Sequence, residues 1–474
     1  MQNTRPILAW ETLLDLEKDV PGARLPLRER VETALRRAID EGRIAAGSAV
    51  PPSRALAETL GVSRWVVTEA YGQLVAEGVL EARTGSATRV AEQSGRTPLR
   101  APSASATLTS PSGSPARYDL RPGIPDLRAT PRSRWSSALR TAVAAVADHD
   151  LAAAHPYGYA PARQATAAYL ARSRHAVADP ERVVITHGAT DGMGMLAREL
   201  FRRGHQRLLV EDPSWPRLRT VTEDRGLIPV PVPVDDEGID TSRLGALTQA
   251  TGARAVLVTP AHQFPLGAAL APARREELVR WARDYDGLVI EDDYDAEFRY
   301  DRRPVAALQR LAPDRVALIG SLSKSVSPAL GLGWLLLPSD VNPPVSVAPP
   351  SLIDQAALAE FITRGDLERH LRSARTRFRR RRHRLLDALA TRLPDLTVSG
   401  IAAGMHLVLM LPPGSSATDV VAAAADSGLA LTALSRYERT VRRPDSLVLG
   451  YGNLDDALIE EAVDRLASFL RPAR

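Results

Sequence analysis

The pattern that most constrains the fold of this chain begins at Asp119, where short apolar runs start to alternate with segments of helical periodicity. The apolar runs span residues 182–186, 207–211, 255–259, 288–292 and 316–320. Strands that are apolar along their whole length are buried on both faces, and helices between them allow neighbouring strands to run parallel. The pattern therefore predicts an α/β domain with a mostly parallel central sheet covered by helices on both sides.

The chain beyond about residue 340 has a different texture. Helical stretches at 367–391, 417–427 and 456–470 are interspersed with short strand-like runs at 406–411 and 446–449. This mixture predicts a smaller α+β lobe over about 340–474, attached to the parallel sheet.

Two further zones precede the α/β domain. Residues 25–90 show dense helical periodicity, whereas residues 91–118 are rich in Ser, Pro, Thr and Ala and nearly free of large apolar side chains. A segment of the second kind cannot bury enough surface to fold. We therefore expect a helical domain at 25–90, a flexible linker at 91–118 and the α/β domain at 119–474.

Composition narrows the classes of function. The chain has no cysteine, which excludes disulfides and thiolate metal sites, and we expect no metal. We find no apolar stretch long enough to cross a bilayer and no signal-peptide pattern, so we expect a cytoplasmic protein without a membrane partner. The formal net charge of +5 is only a weak indication of a polyanionic partner.

The N-terminal zone has the pattern of a helix-turn-helix. A short helix is predicted to begin at Ser53 and to end at Gly61, and Ser63 is placed to cap the next helix. Two short helices joined by Gly-Val-Ser are typical of this motif. Residues 81–90, which turn near Gly85, predict a two-stranded wing.

This zone resembles the GntR-type winged helix. The resemblance rests on PSRxLAxxLGVSR from Pro52, AYxxLxxxGxL from Ala70 and GxxT from Gly85. It implies a double-stranded DNA partner, with the helix after Ser63 in the major groove and the wing near the backbone. The candidate DNA-contacting residues are Ser53, Arg54, Ser63, Arg64, Trp65, Thr68, Glu69, Arg83 and Arg89.

Physical chemistry supports phosphate binding at Ser63 and Arg64 and limits what Glu69 can contact. Ser63 and Arg64 stand at a predicted helix N-terminus, where hydroxyl, guanidinium and backbone N–H groups bind phosphate. Glu69 stands where the family often has arginine. A carboxylate is repelled by phosphate but accepts a hydrogen bond from cytosine N4, so the operator sequence stays open.

Lysine use singles out one position in the α/β domain. Only two of the 61 lysine and arginine residues are lysines, Lys18 and Lys324. Arginine stays protonated, whereas a lysine amine can lose its proton and attack a carbonyl, as a Schiff base with pyridoxal 5′-phosphate (PLP) requires. Spacing alone leaves open a surface lysine kept by chance.

The segments around Lys324 resemble the class I/II aminotransferases of PLP fold type I. In order, they are ITHGATD at 185–191, VEDPSW at 210–215, IEDDYD at 290–295 and SLSK ending at Lys324. The resemblance implies that PLP is the cofactor and that Lys324 is the catalytic residue. The other implied cofactor-binding residues are Gly188, Ala189, Thr190, Trp215, Asp292, Tyr294, Ser321 and Ser323.

The implied roles differ along this set. The amides from Gly188 to Thr190 would hold the phosphate at a helix start. Trp215 would stack on the pyridine ring, and Asp292 would keep the ring nitrogen protonated so that the ring acts as an electron sink. Tyr294 would donate a hydrogen bond to the cofactor O3′.

Three departures from the aminotransferase pattern bear on catalysis. Gly331 stands where the family commonly has an arginine that pairs with the phosphate. The asparagine before Pro-x-Gly is absent, and His262 or Gln263 is expected to supply a replacement hydrogen bond. Val448 replaces the usual carboxylate-binding arginine, which leaves Arg217 and Arg436 as candidates for the substrate or effector carboxylate.

The basic run at 375–384 has two interpretations. On a helix it spirals round the axis, which favours a solvated face with salt bridges, and a secondary contact with DNA phosphates is the alternative.

Taken together, the chain resembles the MocR subfamily of GntR-type bacterial transcription regulators. The resemblance implies a head-to-tail homodimer in which PLP, held as an internal aldimine, or an amine or amino acid that reacts with it, sets DNA affinity. Two alternatives stay open: an active aminotransferase with an appended DNA-binding head, and an aminotransferase-like domain that has lost PLP and only dimerises. The effector, the operator and the direction of regulation stay open too.

Overall fold

The computed structural model describes residues 10–14, 25–82, 86–92, 116–152, 155–300, 305–342, 346 and 348–470. The chain divides into two compact units, Met1–Ser112 and Gly113–Arg474. Most of the expected linker, residues 93–115, lies outside the described residues.

The N-terminal unit is built from short helices and one β-hairpin. Its elements are α1 (Trp10–Leu13), α2 (Leu27–Asp40), α3 (Ser53–Leu60), α4 (Arg64–Ala76), β1 (Leu80–Glu81) and β2 (Arg89–Val90). Gly61 ends α3 in the left-handed conformation at φ 63°, and the Ser63 hydroxyl accepts a hydrogen bond from Val66 N at the start of α4. These two local signals confirm the predicted helix-turn-helix.

The hairpin and a small core complete this unit. Strands β1 and β2 pair antiparallel, and residues 83–85, the expected tip of the wing, lie outside the described residues. Leu35 of α2, Leu56 of α3 and both Val67 and Leu74 of α4 are fully buried, so each helix contributes one apolar stripe to the same core.

The large unit contains thirteen strands and eleven α-helices among its described residues. The strands are β3 (Tyr118–Asp119), β4 (Val183–Thr186), β5 (Arg207–Asp212), β6 (Ile228–Asp235), β7 (Gly238–Ile239), β8 (Ala255–Val258), β9 (Leu288–Asp293), β10 (Val316–Ser321), β11 (Gly333–Leu336), β12 (Val398–Ser399), β13 (His406–Met410), β14 (Leu429–Ala430) and β15 (Ser446–Gly450). The helices are α5 (Arg132–Ala145), α6 (Asp148–Leu151), α7 (Ala160–Arg174), α8 (Ala189–Arg202), α9 (Pro216–Glu223), α10 (Leu244–Thr251), α11 (Pro272–Asp284), α12 (Leu352–Thr363), α13 (Asp366–Arg392), α14 (Ala417–Ala425) and α15 (Ile459–Leu470).

Eight of these strands form the central sheet, in the order β4-β11-β10-β9-β8-β5-β6-β7. Strands β6, β5, β8, β9 and β10 run parallel, whereas β11 is antiparallel to both of its neighbours and β7 is antiparallel to β6. All residues of β4, β8, β9, β10 and β11 are buried. The predicted, mostly parallel α/β sheet is confirmed.

The smaller lobe is organised around the antiparallel sheet β12-β13-β15 and the long helix α13. Strand β14, which lies between β13 and β15 in sequence, pairs in parallel with β3. Tyr118, the last residue of the expected linker, is buried in β3 and pairs with Leu429. The structured part of the large unit therefore begins before the boundary expected at 119, because Tyr118 fills a position in this core.

The basic run in α13 is not simply a solvated face. Arg381 is buried, and its guanidinium donates to Asp126 at 2.9 Å and to Asp456 at 2.5 Å. Arg380 and Arg384 pair with Asp456 and Glu460 at more exposed positions. The run therefore holds α13 against the segments that contain Asp126, Asp456 and Glu460.

Among the described helices, none combines the length and the apolar character that crossing a membrane requires.

Candidate functional site

A cavity of about 310 Å³ lies beside the carboxyl ends of the parallel strands. Ligands of open α/β sheets bind at this edge, and a volume near 300 Å³ is at the lower end for a small-molecule site. The described residues that line the cavity are His187, Gly188, Ala189, Thr190, Glu211, Ser214, Trp215, Arg217, Leu218, Leu257, Thr259, Phe264, Asp292, Tyr294, Ser321, Ser323, Lys324 and Pro328.

Lys324 follows β10 and extends into this cavity. Its Nζ donates a hydrogen bond to the Gly123 carbonyl at 2.7 Å and lies 5.2 Å from the centroid of the Trp215 ring. Burial lowers the pKa of Lys324, against the opposing effect of Asp292 and Asp295. A lowered pKa leaves a larger fraction of the amine neutral, which is the form that attacks an aldehyde.

Asp292, near the end of β9, is the carboxyl group suited to a protonated ring nitrogen. Its Oδ1 is buried and has no hydrogen-bond partner among the described residues. Burial raises the pKa of Asp292 to about 7, with a further rise from Asp293, whereas Lys324 lowers it. A buried carboxyl with a free oxygen fits a cationic N–H donor, because the donor would satisfy the oxygen and restore the charged form.

Glu211, in β5, is a site residue that the sequence-based analysis missed. Burial raises the pKa of Glu211 to about 7. Its carboxyl accepts hydrogen bonds from Thr259 N at 3.1 Å, Thr259 Oγ1 at 2.6 Å and Gln263 Nε2 at 3.1 Å. The only signal in the sequence was a carboxyl side chain at the end of an apolar strand, in the segment where Trp215 drew attention.

The end of the cavity next to α8 has the features of an anion site. Gly188 precedes α8 at φ 107°, and a Cβ on Gly333 would lie 2.6 Å from the Gly188 Cα, so both positions require glycine. The first amides of α8 have no carbonyl within the helix to bond, and Ser321 and Ser323 line the same cavity. These groups fit a phosphate.

No guanidinium from position 331 supplements this anion site. Gly331 ends a short 3₁₀ turn at φ 56°, and a Cβ built there would meet no atom of the described residues within 4 Å. Arg217 is the only arginine among the described lining residues. The phosphate end would therefore rely on hydroxyl and backbone donors rather than on a bidentate guanidinium.

The two expected replacements for the missing asparagine do not line the cavity. The Gln263 amide donates to Pro213 O at 2.9 Å and to the Glu211 carboxyl, so it orients the lining residue Glu211 without lining the cavity itself. His262 is buried, and its Nδ1 lies 2.9 Å from Asp295 Oδ2 and 3.1 Å from the Tyr294 hydroxyl. Phe264, directly before Pro265, faces the cavity instead.

The two candidate carboxylate-binding arginines differ in position. Arg217 is exposed and lines the cavity. Arg436 is exposed on the 3₁₀ turn Leu434–Tyr437 and is not among the lining residues. The turn does approach the site, because Tyr437 O accepts a hydrogen bond from Ser214 N at 3.2 Å. Within one chain, the structure brings only Arg217 to the cavity.

The candidate DNA-contacting residues of the N-terminal unit lie mainly on α4. Arg64, Trp65, Thr68 and Glu69 are exposed, and the exposed fraction of Trp65 is 65%. Most of the Trp65 side chain is therefore solvent-exposed. The structure therefore presents one polar face of α4, with a single large aromatic side chain, to the outside.

The other candidates of this unit have partners or lie elsewhere. Ser53 is half-buried at the start of α3, and Arg54 is exposed and paired with Glu58 at 3.2 Å. Arg89 is exposed on β2 and donates to Gly47 O at 3.0 Å. Arg83 lies outside the described residues.

Comparison with known families identifies both units. The model of the family "Aminotransferase class I and II" matches residues 126–466, and that of "Bacterial regulatory proteins, gntR family" matches residues 27–90. The chain is 33% identical over 428 residues to the HTH-type pyridoxine biosynthesis transcriptional regulator PdxR of Corynebacterium glutamicum, which covers 89% of this chain and 91% of that protein.

A second relative and a solved structure extend the comparison. The probable rhizopine catabolism regulatory protein MocR of Rhizobium meliloti is 31% identical over 483 residues, covering 96% of this chain and 95% of its own. An archaeal alanine:glyoxylate aminotransferase superposes with a TM-score of 0.67 at 24% identity, over 74% of this chain and 90% of its own. At that identity the superposition shows the fold alone.

Proposed function

Since this chain belongs to the MocR-type regulators, in which a gntR-family DNA-binding domain precedes an aminotransferase class I and II domain, we propose that PLP bound in its large domain controls its binding to DNA. The chain is a DNA-binding transcriptional regulator. PLP as its cofactor, and as the group through which it senses PLP itself or an amine, is the proposal.

One observation carries the cofactor proposal. The amine of Lys324, the carboxyl of Asp292 and the Trp215 ring line the same cavity, and Asp292 Oδ1 has no partner among the described residues. An amine with a lowered pKa and a carboxyl suited to a pyridinium nitrogen are the two groups that PLP chemistry requires at its two ends. The hydroxyl groups of Ser321 and Ser323 and the start of α8 supply donors for a phosphate.

The residues of the cavity would share the work as follows. PLP, when bound, supplies an aldehyde and an electron-withdrawing ring. Lys324 offers the nucleophilic amine, and Gly123 O accepts a hydrogen bond from that amine and fixes its direction. Asp292 would hold a proton on the ring nitrogen, and the Trp215 and Phe264 side chains, which line the cavity, would exclude water from the ring. Arg217, at the exposed edge, is placed to bind an incoming carboxylate.

The N-terminal unit would place α4 in the major groove. Arg54, Ser63 and Arg64 would bind backbone phosphates, and Trp65, Thr68 and Glu69 would face the base edges. We further propose a head-to-tail homodimer, which would present two such heads to a pair of half-sites on bacterial cytoplasmic DNA. We keep the proposed division into a DNA-binding domain at 25–90, a linker at 91–118 and a cofactor domain at 119–474. The structured core of the cofactor domain extends back to Tyr118.

The name of the PdxR relative suggests the effector. Because that protein is named for the regulation of pyridoxine biosynthesis, we propose PLP itself as the first effector to test, and amines that exchange with Lys324 as the second. A bound effector changes DNA affinity only if it binds the DNA-competent state and the other state with different affinities.

Absorbance tests the cofactor proposal directly. Purified protein mixed with PLP is expected to absorb near 420 nm, and borohydride should trap the cofactor on the peptide that contains Lys324. Lys324→Ala should abolish both signals. Lys18→Ala, which removes the only other lysine of the chain, is the matched control and should leave both unchanged. If the wild-type protein gains no such band, PLP binding is contradicted, and a domain that only dimerises becomes the leading alternative.

Electrophoretic mobility on the chain's own promoter region tests the regulatory proposal. We expect the apparent Kd for this DNA to change when PLP is added to the wild-type protein and to stay constant for Lys324→Ala. An equal Kd with and without PLP in both proteins would contradict control by the cofactor.

An active aminotransferase is the second candidate function, favoured by Arg217 at the exposed edge of the cavity. Multiple-turnover transfer from an amino acid to a keto acid would establish it. We expect at most a half-reaction, since the phosphate end has no guanidinium at position 331 and Phe264 stands before Pro265 in place of asparagine.

A further inference from the structure

Phe264, which stands in place of the asparagine, and the polar side chain of Tyr294 both line the cavity. Phe264 packs edge-on against Tyr294, with ring centroids 6.0 Å apart. Behind Tyr294 lie two buried groups that do not line the cavity, His262 and Asp295. These two groups form a second layer of polar side chains behind Tyr294.

The geometry assigns the proton on the His262 ring. Nδ1 lies 2.9 Å from Asp295 Oδ2, whereas Nε2 is buried and has no hydrogen-bond partner among the described residues. A proton on Nε2 would leave a buried donor unsatisfied and would turn the Nδ1 lone pair toward a carboxylate. The stable neutral tautomer therefore carries its proton on Nδ1 and donates it to Asp295.

This tautomer determines what the Tyr294 hydroxyl can do. The hydroxyl oxygen lies 3.1 Å from His262 Nδ1, and a protonated Nδ1 cannot accept the tyrosine proton. That proton can go to the Asp295 carboxylate or toward the cavity. The Nδ1–H group already donates to Asp295 Oδ2, whereas Asp295 Oδ1 is buried and has no hydrogen-bond partner among the described residues. The carboxylate, which shares its charge with that N–H group, therefore remains an acceptor, and an anionic oxygen in the cavity competes with it for the tyrosine proton.

We propose that Asp295 and His262 are positioning residues that keep the Tyr294 hydroxyl a donor toward an anionic oxygen of the bound cofactor, in place of the missing asparagine. This inference rests on the proposed binding of PLP. Burial first, then Asp295 and Asp292, raises the pKa of Tyr294 well above its usual value, so the hydroxyl keeps its proton.

His262, Asp295 and His406 bring ligand atoms within 4.8 Å of one another, which is a spacing that could hold a metal ion. The packing argues against one. A Cβ on Gly404 would lie 2.2 Å from His262 Cε1 and 2.6 Å from Asp295 Oδ2, so backbone fills the space beside the pair. The rings of His262 and His406 lie with centroids 4.9 Å apart and planes tilted by 37°, and His406 Nε2 contacts Pro265 O.

The described ionisable groups in contact with His262 are Tyr294, Asp295 and His406, and Asp295 in turn interacts with Tyr300, Tyr451 and Lys324. Tyr294 and Asp295 follow β9, and His406 is on β13. Burial, followed by His262, lowers the pKa of His406 well below its usual value, so that ring stays neutral. Asp292 and Glu211 line the cavity together with Tyr294.

A pH titration of the 420 nm absorbance of PLP-loaded protein tests the proposal. The proton that titrates is shared between the lysine nitrogen and the neighbouring ring oxygen of the cofactor. An oxygen that accepts a hydrogen bond from Tyr294 holds this proton less tightly. Tyr294→Phe should therefore raise the midpoint, by about one pH unit for one hydrogen bond to a charged oxygen.

Asp295→Asn distinguishes positioning from simple electrostatics. If Asp295 and His262 position the Tyr294 hydroxyl in this way (the relay), Asp295→Asn raises the midpoint as Tyr294→Phe does. The double variant Asp295→Asn/Tyr294→Phe then shows no further shift. Removing a negative charge alone would destabilise the nearby cation and lower the midpoint. A lowered or unchanged midpoint, or additive shifts, would therefore overturn the proposal.

Two substitutions of His262 serve as the matched pair. His262→Asn keeps an N–H donor near the Nδ1 position and should retain a midpoint close to that of the wild type, whereas His262→Leu should raise it. Thermal unfolding of the loaded proteins verifies that each variant folds. If His262→Asn and His262→Leu give equal midpoints, the histidine has only a packing role.

Two further results would also decide the matter. A stoichiometric metal ion in the purified wild-type protein, lost in His262→Leu, would replace the relay by a metal site. Absence of the 420 nm band in the wild type would overturn the proposed function and this inference together, whereas a normal band with no response to Asp295→Asn would overturn this inference alone.

Discussion

At the scale of single residues, the cavity carries a cost in folding free energy. Burial raises the pKa of both Asp292 and Glu211 to about 7. A carboxyl group whose folded pKa lies above its unfolded pKa binds a proton more tightly in the folded state. Its contribution to stability therefore falls as the pH rises from about 4 to about 7, and the full penalty applies above that range.

Asp292→Asn should consequently stabilise the cofactor-free protein at pH 8. We expect a gain on the order of 2–4 kcal/mol in the free energy of unfolding, since about three pKa units are involved. The gain should shrink as the pH is lowered toward 4, where the wild-type carboxyl is protonated in both states. Chemical denaturation of the apo protein at several pH values measures it, and a gain that does not depend on pH would contradict the assigned pKa.

Gly123, in the segment after β3, contacts Lys324 through its backbone carbonyl. Its φ is 81°, and an added Cβ would lie 2.9 Å from Lys324 Nζ. Gly123→Ala should therefore destabilise the protein by about 1–2 kcal/mol and should slow formation of the 420 nm band. Gly331→Ala is the control, because Gly331 also has a positive φ, 56°, but a Cβ added there would meet no atom of the described residues within 4 Å. Equal band formation in both variants would contradict the role of this contact.

At the scale of elements, Ser63 combines two roles that substitution can separate. Its hydroxyl caps α4 by accepting from Val66 N, and it is also a candidate phosphate contact. Aspartate caps a helix as well as serine does, but its charge repels phosphate. Ser63→Asp should keep the unfolding temperature of the head and weaken DNA binding at least tenfold.

Ser63→Ala should do the reverse. Loss of the cap costs about 1 kcal/mol of stability. The loss of DNA affinity in Ser63→Ala should be smaller than that in Ser63→Asp. Fluorescence anisotropy with a labelled promoter fragment, together with thermal unfolding, measures both quantities. If Ser63→Asp binds DNA as the wild type does, Ser63 is a cap only.

The elements themselves were predictable from local pattern. Strands β4, β5, β8, β9 and β10 lie within one or two residues of the expected runs, because apolar strands between helices leave a signal in neighbouring residues. The edges were less predictable. Tyr118 entered β3 because Leu429, more than three hundred residues away in the chain, offered it a pairing partner.

At the scale of the whole molecule, cofactor binding and DNA binding must be linked reciprocally if the proposal holds. Should PLP change the affinity for promoter DNA by a given factor, the same DNA must change the affinity for PLP by that factor. A coupling of five- to 150-fold corresponds to about 1–3 kcal/mol. Absorbance titrations of PLP with and without saturating promoter DNA measure the second half of the cycle.

A matched control keeps this measurement specific. DNA of scrambled sequence at the same concentration and salt should leave the PLP affinity unchanged, because its electrostatic contacts do not select the operator-bound state. Unequal factors in the two directions would show that one of the two titrations is not at equilibrium. A factor of one in both directions would contradict regulation by PLP.

The sequence alone determined which chemical groups were present and roughly which elements would carry them. Lys324, Asp292, Tyr294 and Trp215 stand in recognisable local segments, and the structure gathers all four around one cavity. Each segment could be interpreted by itself, since strand periodicity and helix capping depend on residues that are neighbours in the chain.

Only the tertiary structure decided which side chains face the cofactor and which stand behind them. It placed Phe264 in the cavity and His262 behind Tyr294, brought the Gly123 carbonyl to Lys324 across 201 positions, and left Arg436 outside. These outcomes depend on the packing of segments that are distant in sequence, and no local periodicity records which of two adjacent side chains such packing turns inward.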